Sequence, residues 1–170
     1  DIKFSNTFNR VDNGNSRFQY GNNISKERVE VLNNIIKFTK DNNIELILFI
    51  PPLANEVVER MDNLGDKYNF ITEFRNLIKN SKIENYDFHD MRDYYKNSCE
   101  FVDGFHGGDV TYQRILKRMY DENSILSKYL NIESIKKSID ENVGKTLTIF
   151  DKNKYKKHKE HDYLELGCIK

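Results

Sequence analysis

At 170 residues the chain has single-domain length, enough to bury about two-thirds of its unfolded surface around one core. Its 27 basic residues balance 27 acidic ones, beside 38% hydrophobic and 12% aromatic residues, which excludes a disordered polyelectrolyte and argues against a broadly basic nucleic-acid binder. The longest apolar run, residues 44–50 ahead of Pro51 and Pro52, falls far short of the roughly 20 residues that cross a bilayer.

Residues 1–23 are rich in Asn, Ser, Arg and Gly, with scattered aromatics at Phe4, Phe8, Phe18 and Tyr20, and read as a surface loop. Ser25 then caps a helix whose first turn carries Glu27, with Ile24 stapled onto Val29. Its buried stripe is Val29, Leu32, Ile35, Ile36 and Thr39. Asp41, Asn42 and Asn43 end it. The run 44–50, interrupted only by Glu45, has the pattern of a central parallel strand covered on both faces. Helices are predicted over 54–61 and 66–80, the second carrying Tyr68, Ile71, Phe74, Leu77 and Ile78 inward. A short strand follows at 86–88, a strand end at Phe101 and Val102, a loop at 103–108, and a helix over 109–123 with Tyr112, Ile115, Leu116 and Met119 on one face. This alternation is a βαβ rhythm. Beyond it come a short helix at 132–139, a strand at 146–150, a basic stretch at 152–159 and a final segment at 163–169. Residues 1–123 therefore read as one α/β domain and 124–170 as an extension packed on it.

The segment richest in chemistry is Phe101-Val102-Asp103-Gly104-Phe105-His106-Gly107-Gly108-Asp109. An Asp three residues before a His, in a Gly-rich loop between a strand end and a helix, sets a carboxylate beside an imidazole and fixes its tautomer. Loops at the carboxyl ends of parallel strands are also where ligands bind in open α/β sheets. The plain alternative is a turn capped by Asp103 with a decorative His106. His89 and Asp90 would complete a metal-type donor set with Asp103 and His106 only if the fold joined the two pairs. His158 and His161 sit in a solvated charged run of small net charge, which does not favour nucleic acid. Cys99 and Cys168 allow one disulfide or none; with no base assigned to it, Cys99 reads as a buried or incidental thiol. No Gly-rich phosphate loop is present.

The order of these blocks over residues of about 20–122, an amphipathic helix, a strand ending in Ile-Pro-Pro, Tyr-Asp-Phe-His-Asp, then Phe-Val-Asp-Gly-Phe-His-Gly-Gly and a helix, resembles the C-terminal half of SGNH/GDSL hydrolase-like proteins. Its closest flavour is the SGNH-like domains that transfer acyl groups to bacterial surface polymers. The resemblance implies a flavodoxin-like three-layer αβα fold with a parallel sheet, incomplete at its N-terminus. It also implies serine-type esterase or O-acyl (acetyl) transferase chemistry on an acylated carbohydrate or cell-envelope polymer, with no cofactor, no nucleic acid and, as a further partner, a membrane acyl-donor protein.

His106 would be the base, Asp103 its orienting partner, and Asn23 of Gly21-Asn22-Asn23 an oxyanion donor, although the Asp that closes the family's Gly-x-Asn-Asp block is missing. Gly107 stands where many members have Pro. The Gly-Asp-Ser nucleophile block is also missing: Gly14-Asn15-Ser16-Arg17 imitates it without a preceding strand. Because the chain opens on Asp1, the serine, the first strands and any export signal or anchor are expected upstream, with an extracytoplasmic or membrane-tethered location. The rival expectation is a non-catalytic SGNH-shaped binding or assembly module. A receiver-like domain is disfavoured by the lack of an acidic cluster at the first strand end.

Overall fold

The computed structural model describes residues 1–94, 98–148 and 162–168. Helices α1 (Ser5–Asn13) and α2 (Lys26–Asp41) precede strand β1 (Ile47–Ile50). Helix α3 (Asn55–Asp62), a 3-10 turn at Gly65–Tyr68 and helix α4 (Asn69–Lys79) then lead to β2 (Glu84–Asp87). Helix α5 (Asp109–Asp121), a second 3-10 turn at Ile125–Tyr129 and α6 (Ile132–Glu141) complete the order. The strands pair in parallel, Ile47 opposite Glu84 through Ile50 opposite Asp87, and α3 and α4 form the long crossover that parallel pairing requires.

The α/β character and the alternation of elements agree with the sequence. The sheet is smaller than expected, with two strands among the described residues. β1 is shorter than 44–50 and has one paired edge, and it is not covered on both faces: Phe49 is 47% exposed. Its side chains still alternate as a strand's must, since Ile47 and Phe49 share a cavity with α5 while Ile50 shares one with α2 and α4.

Helix α2 starts where expected, with the Ser25 hydroxyl accepting from the Arg28 N–H at 3.3 Å. Its stripe is poorly covered, however: Thr39 alone is buried, and Ile35 is 48% exposed beside exposed Val31 and Phe38. The helix overhangs an open groove rather than a packed layer.

Residues 1–13 are not a surface loop, whereas 14–23 are irregular and mostly exposed apart from Phe18. Phe4, Thr7 and Val11 are buried, with Phe8 packed against the same core, and positions 4, 7, 8 and 11 follow the helical 3.6-residue period that the intervening Asn and Arg obscure. Phe18 is also buried, and the Tyr68 hydroxyl donates to the carbonyls of Val11 and Phe18 at 3.0 and 2.9 Å. The core thus runs from α1 through Val57, Met61 and Tyr68 to Tyr86, Phe88, Met91, Ile115 and Met119.

The segment after residue 123 packs onto this body. Leu164 is fully buried in the core, and the Ser124 hydroxyl and the Ile125 N–H both donate to Glu84. Cys99 is not a free thiol, because it forms a disulfide with Cys168. Residues 146–148 are irregular rather than strand. The rest of that expected strand, the basic stretch 152–159, His158, His161 and Ile169 lie outside the described residues. No described helix is long and apolar enough to cross a membrane.

Candidate functional site

Beyond each strand the chain turns into the same corner. After β1, the Leu53 N–H donates to the carbonyl of His89, just past β2, at 3.2 Å, and the Ala54 N–H donates to the carbonyl of Gly104 at 3.0 Å. The carboxyl ends of both strands and the Asp-x-x-His loop are therefore laced together, at the edge of a parallel sheet where ligands bind.

Within the loop, Asp103 organises everything local. Its Oδ1 accepts from the backbone N–H groups of Phe105 and His106, both at 2.8 Å, and its Oδ2 lies 2.8 Å from His106 Nδ1. An ionised carboxylate only accepts, so Nδ1 is the donor of this contact, and in the neutral imidazole Nε2 is the nitrogen with the free lone pair. The Asp103 side chain is 23% exposed and that of His106 52%, so the imidazole is the more accessible of the two. Phe105 braces the imidazole, with ring centroids 4.2 Å apart.

The loop is held from outside as well. An isolated bridge joins Phe101 to Gly107, and the Val102 N–H donates to the His106 carbonyl at 2.9 Å. Glu100, 4% exposed, accepts two bonds from the Arg114 guanidinium at 2.7 and 2.8 Å and one from the Gly144 N–H at 3.1 Å. Its own carbonyl accepts from the Gly108 N–H and the Thr111 hydroxyl, both at 2.8 Å.

A Cβ on Gly108 would sit 2.2 Å from the Thr146 carbonyl oxygen, and one on Gly104 would sit 2.5 Å from the Thr7 methyl. Only glycine permits these approaches. On the α1 side, the Asp1 carboxylate accepts from the Gly104 N–H at 3.1 Å and from the Thr7 hydroxyl at 2.5 Å. Sequence reasoning missed Glu100, Arg114 and Asp1. The one local sign was an acid directly ahead of apolar Phe101.

His106 opens onto a groove of about 1020 Å³. Asn23 and His89 line it too, so the fold brings the expected oxyanion residue to the same groove as the base. Ser16 does not line it; this residue stands at φ 54° in the turn after α1. Ser25 lines it, and its hydroxyl caps α2.

The metal-type set does not form. Asp90 is bound to Arg92 through two contacts at 2.9 and 2.6 Å, and the described residues contain no group of three or more His, Cys, Asp or Glu placed to hold an ion. Burial, reinforced by the charge of Arg75, lowers the His89 pKa below its ordinary value, against the opposing pull of Asp87, Asp90 and Asp62. That imidazole is biased neutral.

No protein-family model matches the chain, and neither does any curated protein or solved structure.

Proposed function

We propose that the chain carries the acid–base half of a serine-type acyl hydrolase or O-acyl transferase, an SGNH-like domain acting on an acylated carbohydrate or cell-envelope polymer. In this reading the parallel pair is part of a larger flavodoxin-like three-layer sheet. The observation that carries the proposal is the contact between His106 Nδ1 and Asp103 Oδ2 at 2.8 Å, with the other face of the imidazole open to the groove. His106 Nε2 takes the proton from a seryl hydroxyl as it attacks the acyl carbon and returns it to the leaving oxygen. Asp103 holds the tautomer and stabilises the imidazolium. Asn23 donates to the oxyanion of the tetrahedral intermediate. The serine is brought to the groove by a polypeptide segment other than the described residues. The Cys99–Cys168 disulfide favours an oxidising, extracytoplasmic compartment.

A second reading, a non-catalytic SGNH-like binding or assembly module, is favoured by one observation: no seryl hydroxyl is hydrogen-bonded to His106 among the described residues. A fluorophosphonate probe on the native protein separates the two, because an activated serine is labelled and a binding module is not. With catalysis, His106→Ala abolishes labelling and turnover while the circular dichroism spectrum and melting temperature stay unchanged. A His106→Ala protein that labels like wild type refutes the assignment.

A further inference from the structure

We infer that the groove beside His106 binds an anionic amphiphile, an acyl or alkyl chain carrying a phosphate or carboxylate, with Arg17 and Arg28 holding the negative group. In a chain with as many carboxylates as cations, the groove lining among the described residues contains Arg17, Arg28, Arg75, His89 and His106 and not one carboxylate. Three acidic residues bonded to groove residues are engaged by those bonds: Asp103 with His106, Asp87 with Arg75 at 2.6 Å, and Glu73 with the backbone N–H of Ile24 at 2.8 Å. Arg75 is neutralised by its Asp87 partner. Arg17 and Arg28 have no carboxylate partner within 4.0 Å among the described residues.

Arg17 lies beside His106, and Arg28 lines the same groove from α2. The Arg17 guanidinium rests over the Phe105 ring at 5.4 Å, and that same ring braces His106. Arg28 sits in the first turn of α2, where the helix dipole adds to its positive potential. The remaining wall is apolar, including Val29, Leu32, Ile50, Leu53, Phe70 and Phe74. A concave apolar surface whose lining carries guanidinium groups and no described carboxylate selects a ligand apolar along its length and negative at its head. A neutral ligand of the same length leaves the two guanidinium groups without a counter-charge, and a cationic one is repelled.

As a statement about substrate this rests on the acyl-transfer reading. As a statement about binding it does not, and binding is what the test measures. Octyl phosphate and octyl glucoside, each below its micelle concentration, are titrated into the protein by calorimetry at low and physiological salt. Octyl phosphate is expected to bind about tenfold or more tightly than the glucoside, with the preference shrinking as salt rises. Arg17→Gln and Arg28→Gln are each expected to weaken octyl phosphate binding several-fold and leave the glucoside unchanged, whereas Lys137→Gln on α6 changes neither. Equal affinities for the two head groups, or an Arg17→Gln/Arg28→Gln protein that binds octyl phosphate like wild type, would overturn the inference. A native protein that binds octyl phosphate with the expected salt dependence but turns over no acyl ester defeats the catalytic reading alone and leaves the binding inference standing.

Discussion

Replacing Glu100 by Gln keeps the volume of the side chain and removes its charge, at a residue 4% exposed. Two short bonds from Arg114 lose their ionic character, and the one from the Gly144 N–H must settle on an amide that also brings unwanted donors. Breaking a buried ion pair from one side costs about 3–5 kcal/mol, because the abandoned charge keeps its desolvation penalty. The Arg114 side chain is 26% exposed and recovers some hydration, so the lower end applies, about 3 kcal/mol. For a chain of this length that is a fall of about 6–12 °C in Tm. Urea denaturation followed by circular dichroism measures it, with the shift expected in the midpoint and not in the slope. Arg114→Met alone should cost a similar amount, and the Glu100→Gln/Arg114→Met double variant much less than the sum, because removing both charges leaves none stranded. A Glu100→Gln cost below about 1 kcal/mol, the range of exposed pairs, or strict additivity in the cycle, would show that the pair does not hold the loop.

Two further outcomes follow from the same structure. Reducing the Cys99–Cys168 bond, which joins residues 69 apart in sequence, or replacing Cys168 by Ser, should destabilise the protein by about 4 kcal/mol on the chain-entropy account; urea midpoints that coincide with and without reductant would contradict it. For His89, burial with the charge of Arg75 lowers the folded pKa below the ordinary 6.5, so on acidification the unfolded chain binds the proton first. The His89 contribution is therefore complete above pH 6.5 and is lost as pH falls from there toward the lowered folded value, at a slope of at most about 1.4 kcal/mol per pH unit. His89→Gln should flatten the stability profile between pH 7 and 5, and parallel profiles for the two proteins would rule this out.

What the sequence disclosed and what it withheld divide along the range of the contacts. Ser25 capping α2, the apolar face of α5 and the Asp103–His106 pair are set by residues a few positions apart, so spacing alone revealed them. The order of strand, crossover and strand was legible for the same reason, through a change of hydrophobic period. The N-terminal helix was missed because its face is carried by Phe4, Phe8 and Val11 with a buried Thr7, set among Asn, Arg and Asp, a composition that mimics a loop. The coverage of α2 and β1 was overstated because periodicity reports which face is apolar, not whether a neighbour exists to cover it.

The supports of the Asp103–His106 loop were invisible for a different reason. Asp1 reaches Gly104, Glu100 reaches Arg114 and Gly144, and Cys99 reaches Cys168, and no local pattern encodes such pairings. The loop is therefore shaped by its own Asp103 but fixed in place by residues outside it, and the two properties should come apart experimentally. Substitution of His106, whose half-exposed ring contacts Asp103 and Phe105, is expected to remove the imidazole at little cost in stability. Substitution of Glu100, which touches no ligand, lowers stability and moves the imidazole with the loop. A protein in which both changes had the same effect would be one whose Asp-x-x-His turn is only a turn. Separable effects, with stability kept in the His106 variant and lost in the Glu100 variant, are what a built acid–base pair requires.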